Sequence, residues 1–386
     1  MRALQEAGAA PDDGAAAAYM EAYAGWVLQA QNFEDPNGID VRIEPKYYLP
    51  DGGVFDEGWC RPQNDGPGLR AISLIIFANN AGINNASVVK ELLWTGDDDV
   101  HNGGAIKFDL DWVVAGWASS TCDLWEELTS DDLFWNRVTM KKAMLEGAAF
   151  AAAMGDEVSS ASYAATATAI NATLLSAHWD ASGGGFVFEA TNRMKDGAVI
   201  VGFNDGYAES DGLFAPSGFE VAATVRNYNA EFCNEWAINE ADSKDNVPGI
   251  LYGRYPGDTY AGGNPWVLSS SALANLFYRA GREVLQKNQA PSDDARAAWA
   301  SAFGLGGSES FPTSPSGAAE VFLRAGDSVL LRVRSHVETD GFHLAEQIDR
   351  DSGLQKSAKD LTWSYAETLS AMDARGKLVA LLLVGK

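Results

Sequence analysis

Residues 131–176 read DDLFWNRVTMKKAMLEGAAFAAAMGDEVSSASYAATATAINATLLS and predict two consecutive helices, at about 131–155 and 156–176. Ser130 comes directly before the first of them. Both belong to a series of amphipathic helices that continues on either side and is separated by loops rich in Gly, Asp, Pro and Asn. This stretch therefore leads us to expect helices separated by loops along the rest of the chain.

The helical periodicity begins near the start of the sequence. A helix over 14–32 places Tyr19, Tyr23 and Trp26 on one stripe. Pro67 suits the first turn of a second helix, and Ser87 is predicted to cap a third. Further helices are predicted at about 104–120, 217–240, 265–288, 291–304, 315–338 and 359–374.

Strand patterns are few. Alternating runs at 39–43, 185–189 and 199–203 predict short hairpins within loops. About eleven helices and no repeated motif predict an all-α fold. Paired helices around a common axis would build it, with the loops at one end carrying the chemistry.

The composition excludes several classes of protein. The chain has 386 residues, 28 basic and 53 acidic, and a formal net charge of −25. Nucleic acid and anionic membranes are not expected partners, because phosphate contacts need Lys and Arg. The longest apolar run, 378–384, is far shorter than the roughly 20 residues that span a bilayer. Residues 1–18 lack the apolar segment of a signal peptide.

Cysteine and histidine usage predicts no metal site. Cys60, Cys122 and Cys233 show no CxxC spacing, so they form at most one bridge and we expect structural thiols. The four histidines are scattered without an HxxxH pair, which argues against zinc. Twelve tryptophans beside an acidic surplus are the mixture expected of a sugar site, although tryptophan more often serves in a core.

The first unusual loop is residues 57–67, EGWCRPQNDGP. Its Trp, Arg, Gln and Asp side chains precede a helix N-terminus and suit the lining of a polar pocket. The alternative is a helix-capping turn, with Asp65 as the cap and Pro67 at the first helical position. The sequence alone leaves both interpretations open.

The second loop is residues 123–127, DLWEE. Trp125 stands beside Glu126 and Glu127, and an apolar wall favours the protonated form of a carboxyl group, as a general acid requires. The alternative is that the two glutamates form a solvated helix end.

The third and fourth loops lie in the second half of the chain. Residues 253–266, GRYPGDTYAGGNPW, place Arg254 where it binds hydroxyls or orients a carboxylate bidentately. The alternative is a rigid Gly/Pro turn with its Arg in solvent. The fourth loop is residues 336–353. There Glu346 follows a helix whose Arg332 and Arg334 supply positive charge, so we expect it to stay ionised as a base. The alternative is a surface glutamate.

Together these segments, in this order and spacing, resemble the signature loops of the glucoamylase family, glycoside hydrolase family 15. The matching stretches are Trp59-x-Arg-Pro-Gln-x-Asp-Gly-Pro67, Asp123-Leu-Trp-Glu-Glu127, Glu146-Gly-x-Ala-Phe150, Gly253-Arg-Tyr-Pro-x-Asp-Thr-Tyr260, Gly263-Asn-Pro-Trp266, Glu346-Gln-x-Asp349 and Asp360-Leu-Thr-Trp-Ser-Tyr-Ala366. The resemblance runs from the first helix to about residue 376.

The resemblance implies an (α/α)6 barrel, six inner helices ringed by six outer ones, which agrees with the helix count. It also implies exo-hydrolysis of α-1,4-glucosidic bonds from the non-reducing ends of starch-like glucans, with inversion. Glu126 matches the general acid and Glu346 the general base, the two carboxyl groups that inversion requires. The implied unit is one catalytic domain over 1–386, divergent at 376–386 and without a starch-binding domain.

The resemblance also assigns residues around these carboxylates. The positions that match substrate-binding residues are Trp59, Leu124, Trp125, Glu127, Arg254 and Trp363. The positions that match residues supporting them are Asp123, Asp258, Tyr260, Gln347 and Ser357. An α-glucan substrate, a monomer and no metal or organic cofactor follow from the same resemblance.

This sequence departs from the family at its start. The family's Trp-Thr-Arg-Asp segment, whose Arg–Asp pair grips the terminal glucose, would precede the part that matches residues 1–4, and the first helix is short. The cysteines do not reproduce the family's usual disulfides. From an N-terminally shortened sequence we expect little or no activity, since binding of the terminal sugar contributes to transition-state stabilisation. The alternative function is a non-catalytic glucan-binding or regulatory domain of the same fold.

Overall fold

Most of the chain forms α-helices, as the sequence pattern predicts. The computed structural model describes residues 13–49, 51–81, 88–96, 103–305 and 310–384. The chain divides into two compact units, Met1–Ala177 and His178–Lys386. The predicted cap at Ser87 lies outside the described residues.

The first unit is built around a three-helix contact. Its helices are α1 (Asp13–Ala30), α2 (Asp65–Ala81), α3 (Ala105–Gly116), α4 (Phe134–Ala153) and α5 (Glu157–His178). A short π-helical turn, Val89–Leu93, comes between α2 and α3. Helix α2 packs against both α3 and α4. The buried side chains between them include Leu74, Ala78, Leu110 and Met144. Of the stripe predicted in α1, Tyr23 and Trp26 pack against this core, but Tyr19 is 71% exposed, so the prediction is wrong there.

The second unit is built around α9. Its helices are α6 (Gly197–Asp205), α7 (Phe219–Glu235), α8 (Ala237–Lys244), α9 (Val267–Gln286), α10 (Asp293–Ala302), α11 (Pro315–Val337) and α12 (Thr362–Val384). Helix α9 packs against α6, α11 and α12. A Cβ atom on Gly281 would lie 2.8 Å from Leu378 and 3.3 Å from Phe322. Glycine at this position therefore allows α11 and α12 to approach α9 closely.

Three two-stranded antiparallel hairpins occur among the described residues. β1 (Thr121–Cys122) pairs with β2 (Thr129–Ser130), β3 (Trp179–Asp180) with β4 (Phe186–Val187), and β5 (Gln347–Ile348) with β6 (Gln355–Lys356). The second of these confirms the strand predicted within 185–189. The candidate acid, Glu126, lies in the loop between β1 and β2, and the candidate base, Glu346, directly precedes β5.

Two strand predictions are wrong. Residues 199–203 lie in α6, where every residue except the last, Asp205, is buried. A helix buried on all sides shows no polar face, so its apolar run imitates a strand. Residues 39–43 form a short 3₁₀ turn at Val41–Ile43, because the Asp40 side chain accepts the Arg42 N–H and caps it.

Two helix boundaries also differ from prediction. The helix predicted over 217–240 is divided into α7 and α8, because Trp236 between them has an extended backbone. Helix α12 continues to Val384 through the apolar run that follows the family-like region. Among the described residues, no helix combines the length and apolar character needed to cross a membrane.

The prediction of unpaired structural thiols is wrong for two of the three cysteines. Cys60 and Cys122 form a disulfide with a Cα–Cα distance of 5.9 Å, and Cys233 is free. The bonded residues are 62 positions apart in the chain, so sequence spacing gave no indication of their proximity. The bridge ties the loop before α2 to strand β1.

A buried ion pair joins α2 to α3. Arg70 Nε and Nη2 donate to the two carboxylate oxygens of Asp109 at 3.0 and 2.7 Å. Burial raises the pKa of Asp109, and the neighbouring Arg70 acts in the opposite direction. A buried charge is tolerated only when it is paired and hydrogen-bonded. The stability of this unit therefore depends on both partners being present.

We expect Arg70→Met to lower the free energy of unfolding by about 3–5 kcal/mol, because it leaves Asp109 buried without its cation. Thermal unfolding followed by circular dichroism measures the change. Lys244→Met is the control, since Lys244 and Glu240 pair on the surface with each side chain 70% exposed, and its midpoint should not move. Equal midpoints for Arg70→Met and the parent chain would show that the buried pair does not stabilise the unit.

Candidate active site

Glu126, the predicted acid, lies in the loop over 123–128 that joins β1 to β2. Asp123 is buried, and its Oδ1 accepts the backbone N–H groups of Glu127 and Leu128 at 2.7 and 2.9 Å. Glu126 has a φ of 65°, a region that few residues other than glycine adopt. The carboxylate of Asp123 thus holds a strained turn on which Glu126 and Glu127 are exposed. The alternative of a solvated helix end is therefore wrong about the helix, while both glutamates are exposed as it predicts.

The loop over 57–67 contacts this turn. Gln63 Nε2 donates to Glu126 Oε1 at 3.3 Å. Trp125 is only 7% exposed, and Leu124 is half-buried, so both side chains pack inside the first unit. Glu126 therefore combines an exposed carboxylate, an amide partner and a buried indole at the preceding position.

A disulfide and two hydrogen bonds join the loop over 57–67 to strand β1, and these links hold the two segments together. The Cys60–Cys122 disulfide is one link, and Cys122 N–H donates to Pro62 O at 2.7 Å. A third link runs from Asn64 N–H to Thr121 Oγ1 at 2.9 Å. Gln63 is thereby held beside strand β1, from which the Glu126 turn begins.

Trp59 remains partly accessible at the edge of the same loop. Its side chain is 40% exposed. Lys46 Nζ lies 3.2 Å from the centroid of its ring, and Phe55 meets it edge-on at 6.0 Å. A cation over an indole is an attractive contact, so Lys46 and Phe55 orient Trp59 while leaving part of it open to a ligand.

The remaining polar residues of this loop are structural. Arg61 donates to Glu44 Oε2 at 2.7 Å and to the carbonyl groups of Phe55 and Glu57. Asp65 is buried at the start of α2, where its Oδ2 accepts the Trp135 Nε1–H at 2.8 Å. Burial raises the pKa of Asp65, and the Trp135 hydrogen bond opposes this. Helix α2 begins at Asp65, so the interpretation with Asp65 as the cap and Pro67 as the first helical residue is wrong, while Gln63 contacts Glu126.

Glu346, the predicted base, is buried in the second unit. Its side chain is 8% exposed, so the alternative of a surface glutamate is wrong. Glu346 Oε2 accepts hydrogen bonds from the Ser357 hydroxyl and from Gln347 Nε2, the latter at 3.3 Å. The two donors fix the orientation of the Glu346 carboxylate.

The positive charges expected beside Glu346 lie elsewhere. Arg332 is buried, where it donates to the Pro248 carbonyl at 3.1 Å and lies 3.7 Å from Asp242. Arg334 is exposed and lies 3.7 Å from Glu338. The prediction that both arginines hold Glu346 ionised is therefore wrong. A hydroxyl and an amide occupy that position instead, because both arginines lie in α11 and face other partners.

Arg254 is held by a carboxylate. Its Nε and Nη2 donate to the two oxygens of Asp258 at 2.8 and 2.7 Å, and both residues are buried. The guanidinium carbon lies 4.8 Å from the ring centroid of Tyr260 and 5.3 Å from that of Trp266. Asp258 also accepts the Tyr260 N–H at 2.8 Å. The alternative of an arginine in solvent is wrong, and the fork fixes the plane of the guanidinium.

Trp363 lies in the first turn of α12 and is half-buried. Its Nε1–H donates to Glu367 Oε1 at 3.3 Å. Ser364 Oγ donates to the Ala345 carbonyl at 2.8 Å, which ties this turn to the residue before Glu346. Glu367 was not predicted to take part in the site, although its i, i+4 spacing from Trp363 on a helix indicates that the two side chains can meet.

Polar contacts also hold the loop that carries Glu346. His343 and the Tyr365 hydroxyl each lie 2.7 Å from Asp360 Oδ1. Hydrogen bonding to Asp360 raises the pKa of His343, and the Tyr365 and His343 hydrogen bonds lower that of Asp360. The charge attraction between His343 and Asp360 is therefore lost as pH falls through the lowered pKa of Asp360 or rises through the raised pKa of His343.

Asp349 lies in the loop between β5 and β6. Hydrogen bonding from the Ser352 N–H lowers the pKa of Asp349 to about 2.

Each unit therefore assembles part of the predicted set. The first brings Gln63 to Glu126 above the Asp123 turn, and the second brings Gln347 and Ser357 to Glu346. Among the described residues, no group of three or more His, Cys, Asp or Glu side chains is arranged to hold a metal ion. Asn264 stands in the matching stretch Gly263-Asn-Pro-Trp266, which gave no sign that its side chain donates to Gln347 Oε1 at 2.7 Å.

Comparison with known proteins identifies the family. Residues 13–373 match the family model described as glycosyl hydrolases family 15. A glucoamylase of Blastobotrys adeninivorans is 35% identical over 375 residues, which cover 90% of this chain and 58% of that protein. Glucoamylase 1 of Rhizopus oryzae is 32% identical over 86% of this chain and 55% of its own length. The chain thus spans little more than half the length of these relatives.

Two solved structures of glucoamylases resemble this chain in fold. The family 15 glucoamylase from Hypocrea jecorina has a TM-score of 0.80 at 27% identity, covering 93% of this chain and 60% of that one. The glucoamylase from Saccharomycopsis fibuligera has the same TM-score at 23% identity and shows the fold alone, over 98% of this chain and 84% of its own. The predicted fold class, all-α of the (α/α)6 type, is confirmed by these likenesses. The chain belongs to family 15 of the glycosyl hydrolases.

Proposed function

We propose that this chain is a glucoamylase-like exo-hydrolase, a glucan 1,4-α-glucosidase that releases glucose with inversion from the non-reducing ends of α-1,4-glucans. The observation that carries the proposal is the environment of Glu346, a buried carboxylate with hydroxyl and amide donors on one oxygen. The relatives named as glucoamylases support the substrate class.

Inverting hydrolysis uses two carboxyl groups with opposite tasks. One protonates the glycosidic oxygen, and the other activates the water that attacks the anomeric carbon from the opposite face. We assign the first task to Glu126, which is exposed on the turn held by Asp123. We assign the second to Glu346, whose carboxylate is held by hydrogen bonds from Ser357 and Gln347.

We assign sugar binding to aromatic and charged residues that the resemblance to the family indicates in each unit. Trp59 and Trp363 supply apolar faces for pyranose rings, each oriented by a polar partner. Arg254, held in plane by Asp258, supplies N–H donors to hydroxyl groups. Glu127 and the backbone around Leu124 and Trp125 complete the set assigned to substrate.

We further propose that both units belong to one catalytic domain, which acts as a monomer on α-glucan. The family model supports this because it matches continuously from residue 13 to 373. The net charge of −25 is unfavourable for nucleic acid and for anionic membranes. No cofactor takes part in the proposed reaction, since both of its proton transfers use carboxyl groups.

The test is glucose release from maltose and soluble starch by the purified chain at about pH 4–6, the range that suits one protonated and one ionised carboxyl group. We expect slow release, with β-glucose formed first in a proton NMR time course, because inversion at an α-linkage gives the β-anomer. α-Glucose as the first product would exclude the mechanism. A folded chain that binds maltooligosaccharide without releasing glucose would favour the glucan-binding alternative.

A further inference from the structure

Asn264 is a buried amide whose three contacts define its orientation. It is 1% exposed and lies just before Pro265 and helix α9. Its Oδ1 accepts the Arg350 N–H at 3.0 Å. Its Nδ2 donates to the Ala261 carbonyl at 3.0 Å and to Gln347 Oε1 at 2.7 Å. A backbone N–H only donates and a carbonyl only accepts, so the Asn264 amide fits in one orientation.

The orientation of Asn264 determines that of Gln347. Because Asn264 presents an N–H group, the side chain of Gln347 must turn its carbonyl oxygen towards it. The NH2 group of Gln347 then faces Glu346 Oε2, at 3.3 Å. The reverse orientation would bring two N–H groups together on one side and two oxygen atoms together on the other. A donor is thereby kept on the carboxylate of Glu346.

The backbone prevents the two segments from separating. Val267 N–H donates to the Glu346 carbonyl at 3.2 Å, and Ile348 N–H donates to the Pro265 carbonyl at 2.9 Å. Trp266 and Gln347 form an isolated β-bridge between these bonds. The side chains of Asn264 and Gln347 therefore meet at a fixed register, and Gln347 is buried with 0% exposure.

We propose that Asn264 is a positioning residue for the general base. It selects which end of the Gln347 side chain faces Glu346, and so it keeps a hydrogen-bond donor on the carboxylate and holds it in a fixed orientation. This inference rests on the proposed function of Glu346. It assigns to Asn264 an action on the reaction through Gln347, without contact with the substrate.

The test variant is Asn264→Asp, which replaces the donor with an acceptor. The Gln347 side chain should rotate to donate to the introduced carboxylate and present its oxygen to Glu346, which favours the protonated base. We expect the acidic limb of the pH–rate profile for maltose to move to higher pH by about 1 unit, the size of one hydrogen bond to a charged group. KM should change little while kcat at pH 4 falls about tenfold.

The matched control is Asn239→Asp. Asn239 is 2% exposed, donates to the Phe232 and Leu251 carbonyl groups and accepts the Leu251 N–H. The same substitution there disturbs an equally buried amide whose partners are backbone groups and Arg332. We expect it to lower stability without moving the acidic limb. An equal shift in both variants would overturn the proposal.

Transmission through Gln347 is tested by the double variant. Leucine at position 347 has no donor or acceptor, so Asn264→Asp should add no shift in a Gln347→Leu background. A full shift in that background would mean that a new charge acts on Glu346 through space, and the proposal would fail. If Asn264→Asp does not fold, Asn264→Ala removes the donor without adding charge, and we expect a smaller shift in the same direction.

A readout independent of turnover separates this inference from the proposed function. Glutamate labelled with ¹³C at the carboxyl carbon gives a titrating NMR signal for Glu346, identified by its absence in Glu346→Gln. We expect Asn264→Asp to move the titration midpoint of this signal to higher pH, even if the parent chain releases no glucose. An unmoved midpoint would overturn the positioning role, whereas inactivity with a moved midpoint would count against the proposed function alone.

Discussion

Replacing Glu126 by glutamine is expected to lower glucose release from maltose by about 10²–10⁴-fold, the contribution of a general acid. The amide has nearly the shape of the carboxyl group and keeps an oxygen for Gln63, which donates to Oε1 at 3.3 Å. The turn held by Asp123 depends on backbone groups and is unaffected. The loss should therefore reflect the missing proton and appear in kcat, measured by coupled glucose assay.

The leaving group gives the sharpest control for this assignment. Fluoride leaves α-glucosyl fluoride without needing a proton. Glu126→Gln should therefore hydrolyse this substrate at a rate within about tenfold of the parent chain. Glu127→Gln changes the neighbouring exposed carboxylate and is expected to raise KM for maltose with a smaller effect on kcat. If Glu126→Gln loses activity on maltose and on α-glucosyl fluoride to the same extent, Glu126 serves a structural role and another residue is the general acid.

Helix positions were predictable because an amphipathic stripe is a local property of the sequence. The helix predicted at 315–338 and observed at Pro315–Val337 is an example. The prediction fails where burial is complete, as in α6, because no polar face remains to show the period. It also fails at Trp236, where an extended backbone divides α7 from α8 without a Gly or Pro signal.

The candidate carboxylates, and Gln347 and Ser357 as residues that support them, were assigned by the resemblance to the family, while the individual contacts were not. Glu126 and Glu346 stand in short segments that resemble the family's loops. The hydrogen bond from Ser357 to Glu346 joins residues 11 positions apart, and Arg332, the expected partner, faces Asp242. Asn264 acts on Gln347 from 83 positions away. Such contacts depend on tertiary packing, which sequence spacing does not encode.

The second large effect is expected at Glu346. Both of its donors bind Oε2, which assigns the contact with the attacking water to Oε1. In Glu346→Gln the carbonyl oxygen can satisfy Ser357 and Gln347, and the NH2 group then replaces Oε1. Such a group cannot accept a proton from water, so we expect kcat to fall by about 10²–10⁴-fold on maltose. Unlike the Glu126 variant, this one should lose α-glucosyl fluoride hydrolysis to the same extent.

The base assignment makes a prediction about an added nucleophile. Glu346→Ala opens space, and azide needs no base, so azide should attack the anomeric carbon of α-glucosyl fluoride as fluoride leaves. The expected product is β-glucosyl azide, since attack comes from the face opposite the leaving group. Ser357→Ala, which removes one donor and keeps the carboxylate, should retain water as the nucleophile and form no azide product. Formation of β-glucosyl azide by Ser357→Ala, or its absence with a folded Glu346→Ala, would mean that another residue is the general base.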